Sequence, residues 1–504
     1  MQITYKSTRG GETGVPASRA ILNGIAGDGG LYVPEDIPAL PVSTESLTGK
    51  SYQEVAYQVM SCFLTDFTED ELRECIRRAY DQKFDTPEIA PLRRTGNNIY
   101  FMELYHGATI AFKDMALSIL PHLMTTAAAK NNVKDEIVIL TATSGDTGKA
   151  ALAGFADVPG TKIIVFYPKY GVSPVQEKQM VTQKGDNTCV IGITGNFDDA
   201  QTAVKEMFGD REMAKTIGKH GFRFSSANSI NIGRLVPQIA YYVWSYVKLL
   251  ERGAVKNGEE IDIVVPTGNF GNILAAYYAK QMGLPVHKLI CASNENKVLF
   301  DFFRTGIYDR RRDFILTTSP SMDILISSNL ERLIYRIGGD DPSLCAERMA
   351  SLRDNGYYEI TEKEKAGLVD FAGYYCDQTE TEEAIGSIYK EEKYLIDPHT
   401  AVAYGSCLKY REETGDTRPT VIASTASPFK FTKSVVKALT ETVDLPEDAV
   451  SLDDFTLADL MSDLSGVPVP RAVEEIRTAP VLHNKVVDAP DMPGAVYGFL
   501  GIEV

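Results

Sequence analysis

Twice in this chain a run of branched apolar residues ends in a polar, glycine-bearing turn that opens straight into a second apolar stretch. The first unit runs from Glu136 to Thr141 (EIVILT) through Ser144, Gly145, Asp146, Thr147 and Gly148 into Ala151 to Phe155. The second runs from Ile261 to Val265 (IDIVV) through Thr267, Gly268, Asn269, Phe270, Gly271 and Asn272 into a stretch beginning near Ile273. Strands apolar on both faces must be covered on both, and parallel strands need a helix-length crossover, so each unit reads as strand, turn, helix. Lys162 to Tyr167, Cys189 to Ile193, Lys288 to Ala292 and Thr420 to Ser424 repeat the strand pattern. Between them Ile239, Tyr242, Val243, Tyr246, Leu249 and Leu250 recur at steps of three and four, one face of a core-packed helix. The chain is predicted to be α/β.

Its 504 residues suffice for about three domains or lobes. With 44% hydrophobic and 24% charged residues and no apolar run of membrane-spanning length, an ordinary globular chain is expected. The 68 acidic residues outnumber 51 basic ones, and the net charge of −17 opposes nucleic acid or anionic lipid as partners. Seven scattered cysteines without a CxxC pair read as reduced thiols, and no His or Cys cluster has metal-ligand spacing, so no metal is expected. The first residues lack the apolar core of a leader, which makes the cytoplasm the expected location. Composition shifts divide the chain into an N-terminal lobe (1–95), a smaller α/β domain (96–230) and a larger one with a C-terminal extension (231–504).

Four segments carry candidate chemistry. Around Gly145 the turn has part of a P-loop's look, but Thr143 stands where the first glycine belongs and Ala150 replaces the metal-binding hydroxyl, so a carboxylate cradle is the better reading. Gly268 to Asn272 offers backbone donors at a helix start, suited to a phosphate monoester, although a plain turn would use the same glycines. Lys113 follows a short apolar run and precedes a helix; a desolvated lysine there is a nucleophile towards an aldehyde, a solvated one is inert. Asp114 beside it reads as a first-turn carboxylate. Ser424 and Thr425 end a strand, where a hydroxyl either reaches a ligand or caps a helix.

In this order, with Gly27 to Pro34 (GDGGLYVP), Ser226 to Asn231 (SANSIN) and Pro320 to Ile324 (PSMDI), the segments resemble the threonine synthases, pyridoxal-phosphate enzymes of the tryptophan-synthase-β fold (fold type II). The resemblance covers nearly the whole chain. It implies two open-sheet α/β domains with a cofactor cleft between them. It implies that O-phospho-L-homoserine and water become L-threonine and phosphate by γ-elimination and β-hydration, the last step of threonine biosynthesis, in a monomer or dimer. Lys113 would carry pyridoxal 5′-phosphate and shuttle protons; Gly268, Asn269, Phe270, Gly271 and Asn272 would wrap its phosphate, and Thr425 would meet its ring nitrogen. Ser144, Gly145, Asp146 and Thr147 would take the substrate α-carboxylate. Asn228, Ser229, Asn231 and Arg234 would take the substrate phosphate, with Lys430 a weaker candidate. The chain departs from the family pattern at Ser427 and Phe429, where His and Ala are common. Serine or threonine dehydration, 2-oxobutanoate formation and an inactive binding protein of this fold are the alternatives.

Overall fold

The computed structural model describes residues 2–143, 145–172, 174–445 and 449–503. All six predicted strands form, in two sheets. The larger sheet orders its strands Phe371–Tyr375, Val286–Ser293, Ile261–Pro266, Thr420–Ser424, Ile99–Glu103 and Leu92–Arg94. Only the edge strand Leu92–Arg94 is antiparallel. The smaller sheet is wholly parallel, in the order Val486–Val487, Thr188–Ile193, Thr161–Pro168, Glu136–Ala142 and Phe222–Ser225.

Sheet membership corrects the division expected from composition. Ile99–Glu103, assigned by composition to the smaller domain, pairs with Thr420–Ser424 in the larger sheet. The extension crosses in the opposite sense: Val486–Val487 pairs with Gly192 and Ile193, and Met492, Ala495 and Val496 join the outer core of the smaller sheet. Neither exchange has a local signal, because a strand's neighbour is chosen by long-range burial and not by its own pattern.

The helix Ile232–Glu251 carries the predicted apolar stripe and more, since 17 of its 20 residues are buried on every side. It packs against Gly271–Gln281 and Tyr52–Phe63, which ties the N-terminal lobe to both sheets through one continuous core. In that lobe Tyr5–Ser7 pairs antiparallel with Tyr32–Pro34, and helix Glu69–Ala79 starts in a capping box between Thr68 and Glu71.

Candidate active site

Lys113 is placed by backbone bonds to the neighbouring strand end. Beyond Ile99–Glu103 the chain runs beside the continuation of Thr420–Ser424: Leu104 N–H donates to the Ser424 carbonyl (2.9 Å), Phe112 N–H to that of Thr425 (2.7 Å), and Ser427 N–H to that of Ile110 (3.0 Å). The segment is held tightly enough to keep Ile110 at φ +51°, a conformation that a β-branched residue adopts only under constraint. Lys113 and Thr425, far apart in sequence, are thereby neighbours. Asp114 is the first-turn carboxylate of the short helix Asp114–Leu117, as expected, and it also accepts from the Thr109 amide (2.8 Å) and hydroxyl (2.6 Å) and so fixes the loop before the lysine, while burial pushes its carboxyl pKa up.

Lys113 Nζ donates to Ser321 Oγ (3.1 Å) and stands 3.8 Å from Asp146 Oδ2; its side chain is 12% exposed. Burial lowers its pKa to about 8, with Asp146 opposing the fall and the Lys430 and Arg234 charges adding to it. A fraction of the amine is therefore neutral near pH 7, the form that attacks an aldehyde or accepts a proton.

Asp146 does not serve as a carboxylate ligand through its side chain. Its oxygens face Lys430 Nζ (2.9 Å), Gln176 Nε2 (3.1 Å) and Ser321 Oγ (3.4 Å), and a second carboxylate there would meet repulsion. Burial raises its pKa, but Lys430 and Lys113 outweigh that and hold it well below the usual carboxylate range. The rest of the turn keeps its donors in order: Thr143 Oγ1 accepts from the Gly145 and Gly148 amides, both at 3.0 Å. Gly145 is required by φ +141° and by Gln176, 2.6 Å from where a Cβ would lie. Thr147 is half-buried; Ser144 lies outside the described residues.

The turn 268–272 is braced from outside. Ser327 donates to the Gly268 carbonyl (2.6 Å), and the Asn329 amide and side chain both donate to the Asn269 carbonyl (3.0 and 2.9 Å). Phe270 sits at φ +63°, held by stacking on Phe303 and packing on Phe371, so it offers backbone and not its ring. A Cβ on Gly268 would lie 2.3 Å from the Ser321 carbonyl oxygen. Gly268→Ala is therefore expected to cost about 1–3 kcal/mol, read as a lower urea midpoint. Asn272 Oδ1 receives the Tyr241 and Tyr242 hydroxyls (2.6 and 2.5 Å).

The 226–234 segment divides. Asn228 is exposed and Ser229 half-buried. Asn231 is fully buried, its amide donating to the Ile21 and Ser226 carbonyls (3.0 and 3.2 Å) and its oxygen accepting from Gly233 (2.9 Å); these bonds cap the long helix, which takes it out of the substrate set. Arg234 is buried with one bond, to the Ala227 carbonyl (3.1 Å), and burial lowers its pKa to about 10. Arg234 Nε and Asn272 Nδ2 are buried donors without a partner among the described residues. Two such donors suit a site for phosphate anions. Together with the low-pKa lysine and the helix start at Gly271, they fit a pyridoxal phosphate group held between the sheets.

Pattern reading missed His399 and Asp397 and gave Ser321, within the PSMDI segment, no role. Ser321 N–H donates to His399 Nε2 (3.1 Å), and His399 Nδ1 bonds Asp397 Oδ2 (2.6 Å) at the cap of helix Pro398–Thr414. One serine thus touches Gly268 with its carbonyl, Lys113 with its hydroxyl and His399 with its amide. Locally Asp397-Pro398-His399-Thr400 has only the composition of a helix start; the partner that gives His399 its use lies 78 residues away.

Three family models match: "Threonine synthase N terminus" over residues 4–80, "Pyridoxal-phosphate dependent enzyme" over 84–426 and "Threonine synthase, C-terminal" over 400–465. The chain is 38% identical over 474 residues to the threonine synthase of Schizosaccharomyces pombe, covering 88% of this chain and 90% of that one. Its fold is similar to the yeast threonine synthase crystal structure (TM-score 0.87, 31% identity) and to the pyridoxal-phosphate-bound threonine synthase of Brucella melitensis (TM-score 0.84, 34% identity), each over 99% of both chains. The chain belongs to the threonine synthase family of pyridoxal-phosphate-dependent enzymes.

Proposed function

We propose that the cleft converts O-phospho-L-homoserine and water to L-threonine and phosphate. The observation that carries this reading is the buried Arg234, whose Nε has no hydrogen-bond partner among the described residues and whose charge bears on the Lys113 amine. A dehydratase of free serine or threonine has no second phosphate to receive.

Gly268, Asn269, Phe270, Gly271 and Asn272 hold the cofactor phosphate through backbone donors and the Asn272 amide. Thr425 offers the ring nitrogen a neutral hydroxyl. When bound, pyridoxal phosphate is the electron sink for charge developing next to the substrate's α-carbon. Gly145, Asp146 and Thr147 present backbone and hydroxyl donors to the α-carboxylate; Ser144 belongs to the same set. Lys113 Nζ takes the proton from Cα and then one from Cβ. Arg234, with Asn228 and Ser229, binds the γ-phosphate and balances its charge as the Cγ–O bond breaks. One proton is returned to Cγ, water oxygen bonds to Cβ, and the other proton is returned to Cα; the proton shed by the water leaves with the phosphate, so one water enters and one phosphate leaves. Lys430 is not in the phosphate set, because Asp146 and the Thr109 carbonyl occupy it.

Arg234→Ala is expected to raise the KM for O-phospho-L-homoserine roughly 10–100-fold, with the lysine-bound cofactor still formed. An unchanged KM would remove Arg234 from the phosphate site; no phosphate release by the unaltered protein would remove the reading itself. No helix among the described residues is long and apolar enough to cross a membrane, and the seven cysteines are free; the cytoplasm stays the expected location and a monomer or dimer the expected state.

A further inference from the structure

One buried carboxylate serves two lysines unequally. Asp146 Oδ1 lies 2.9 Å from Lys430 Nζ, a full ion pair, whereas its Oδ2 lies 3.8 Å from Lys113 Nζ. The Lys430 side chain has no accessible surface, and its ammonium also donates to the Thr109 carbonyl (3.1 Å) in the loop that precedes Lys113. It is seated by the turn Pro428–Lys430, which Ser427 caps through the Phe429 amide. A group so enclosed is not placed to meet substrate.

We propose that Lys430 is a positioning residue: its fixed ammonium occupies Asp146 and so keeps a larger share of the Lys113 amine neutral when it meets the cofactor aldehyde. The proposal rests on the reading of Lys113 as the cofactor lysine. In that step the neutral Nζ adds its lone pair to the aldehyde carbon, and both amine protons leave with the aldehyde oxygen as one water. An ammonium has no lone pair to add. Asp146 alone would favour the ammonium, because a carboxylate buried beside a lysine stabilises its charged form. Lys430 takes that carboxylate up and adds a like charge of its own.

The groups facing Lys113 come from every element around it. Asp146 comes from helix Asp146–Phe155, Lys430 from the 428–430 turn, Arg234 from the long helix and the Ser321 hydroxyl from Pro320–Met322. Asp114, next in the chain, is turned to Thr109, and His399 reaches the site only as the acceptor of the Ser321 amide, which leaves its Nε2 without a proton. Of these charges only Asp146 favours the Lys113 ammonium; Lys430 and Arg234 disfavour it. Lys149, half-buried nearby, also feels Lys430, but its amine donates to Gln183 (2.6 Å).

The test is the pH dependence of pyridoxal phosphate uptake by the cofactor-free full chain, without substrate, followed through the absorbance of the lysine-bound cofactor. Lys430→Met is expected to move the midpoint of the uptake rate to higher pH by about one unit or more, and so to slow uptake near pH 7 about tenfold. Adding Asp146→Asn is expected to bring the midpoint back to the unaltered value or below, because the carboxylate is gone. Lys430→Arg, which keeps the charge, is expected to leave it in place. If the methionine variant does not fold, Lys430→Gln retains a donor to Asp146 and the same alkaline shift is expected. An unmoved midpoint in Lys430→Met or Lys430→Gln, or a shift that Asp146→Asn does not reverse, overturns the proposal. Uptake of no cofactor by the unaltered chain overturns the reading of Lys113 instead.

Discussion

Replacing Lys113 by alanine lowers threonine formation by on the order of 10⁴-fold or more, because the same amine is asked to hold the cofactor and to move two protons. The loss is chemical and not one of folding. Lys430 remains at 2.9 Å to balance Asp146, and the loop is still held by the Phe112, Ser427 and Asp114 bonds. Steady-state turnover, absorbance of added pyridoxal phosphate and the urea midpoint separate the two. The expected result is no lysine-bound absorbance and a midpoint near that of the unaltered protein. Retained turnover would refute the role given to Lys113.

Arg332→Ala is the change expected to cost most stability, about 3–5 kcal/mol. The guanidinium is fully buried, and burial lowers its pKa to about 10. It donates to the Tyr32 carbonyl (2.9 Å), to the Ile230 carbonyl (2.5 Å) and to the side chain of Asn329, whose own amide holds the Asn269 carbonyl. Three segments that are remote in the chain, GDGGLYVP, SANSIN and the glycine turn, therefore meet on one side chain. Its removal takes from these acceptors the donor they have here. A lowered urea midpoint together with weaker pyridoxal phosphate binding is the expected pair of results; a midpoint within about 0.5 kcal/mol of the original would show that the segments are held by packing alone.

How far the chain could be read before its fold was known depended on the kind of interaction involved. Parallel strands buried on both faces advertise themselves as Val and Ile runs, and all six predicted in this way are present. Phe371–Tyr375 escaped because its aromatic residues and Gly373 do not make such a run, and Ile99–Glu103 because its Tyr, Phe, Met and Glu residues do not make one either. Turn chemistry was equally visible: the bends at Gly145 and Gly268 lie where glycine and short polar residues demanded them. Side-chain partnership was not. Asn231 and Arg234 stand three residues apart with similar credentials as phosphate ligands, yet one caps a helix and the other keeps an Nε without a partner among the described residues. Asp146 belonged to a motif of anion donors and proved to be the counter-ion of two lysines brought from either side. Such pairings are decided when both sheets close on one core, and no local spacing encodes them.

The account's central claim is that a buried lysine, a glycine turn for one phosphate and Arg234 for another make a site that keeps the carbon skeleton of O-phospho-L-homoserine while exchanging its phosphate for water. The most direct measurement is to incubate the protein, loaded with pyridoxal phosphate, with O-phospho-L-homoserine and assay threonine, phosphate and 2-oxobutanoate in the same samples over time. Threonine and phosphate appearing in equal amounts, with little 2-oxobutanoate, is the predicted result; 2-oxobutanoate as the dominant product, or no phosphate release, would contradict it.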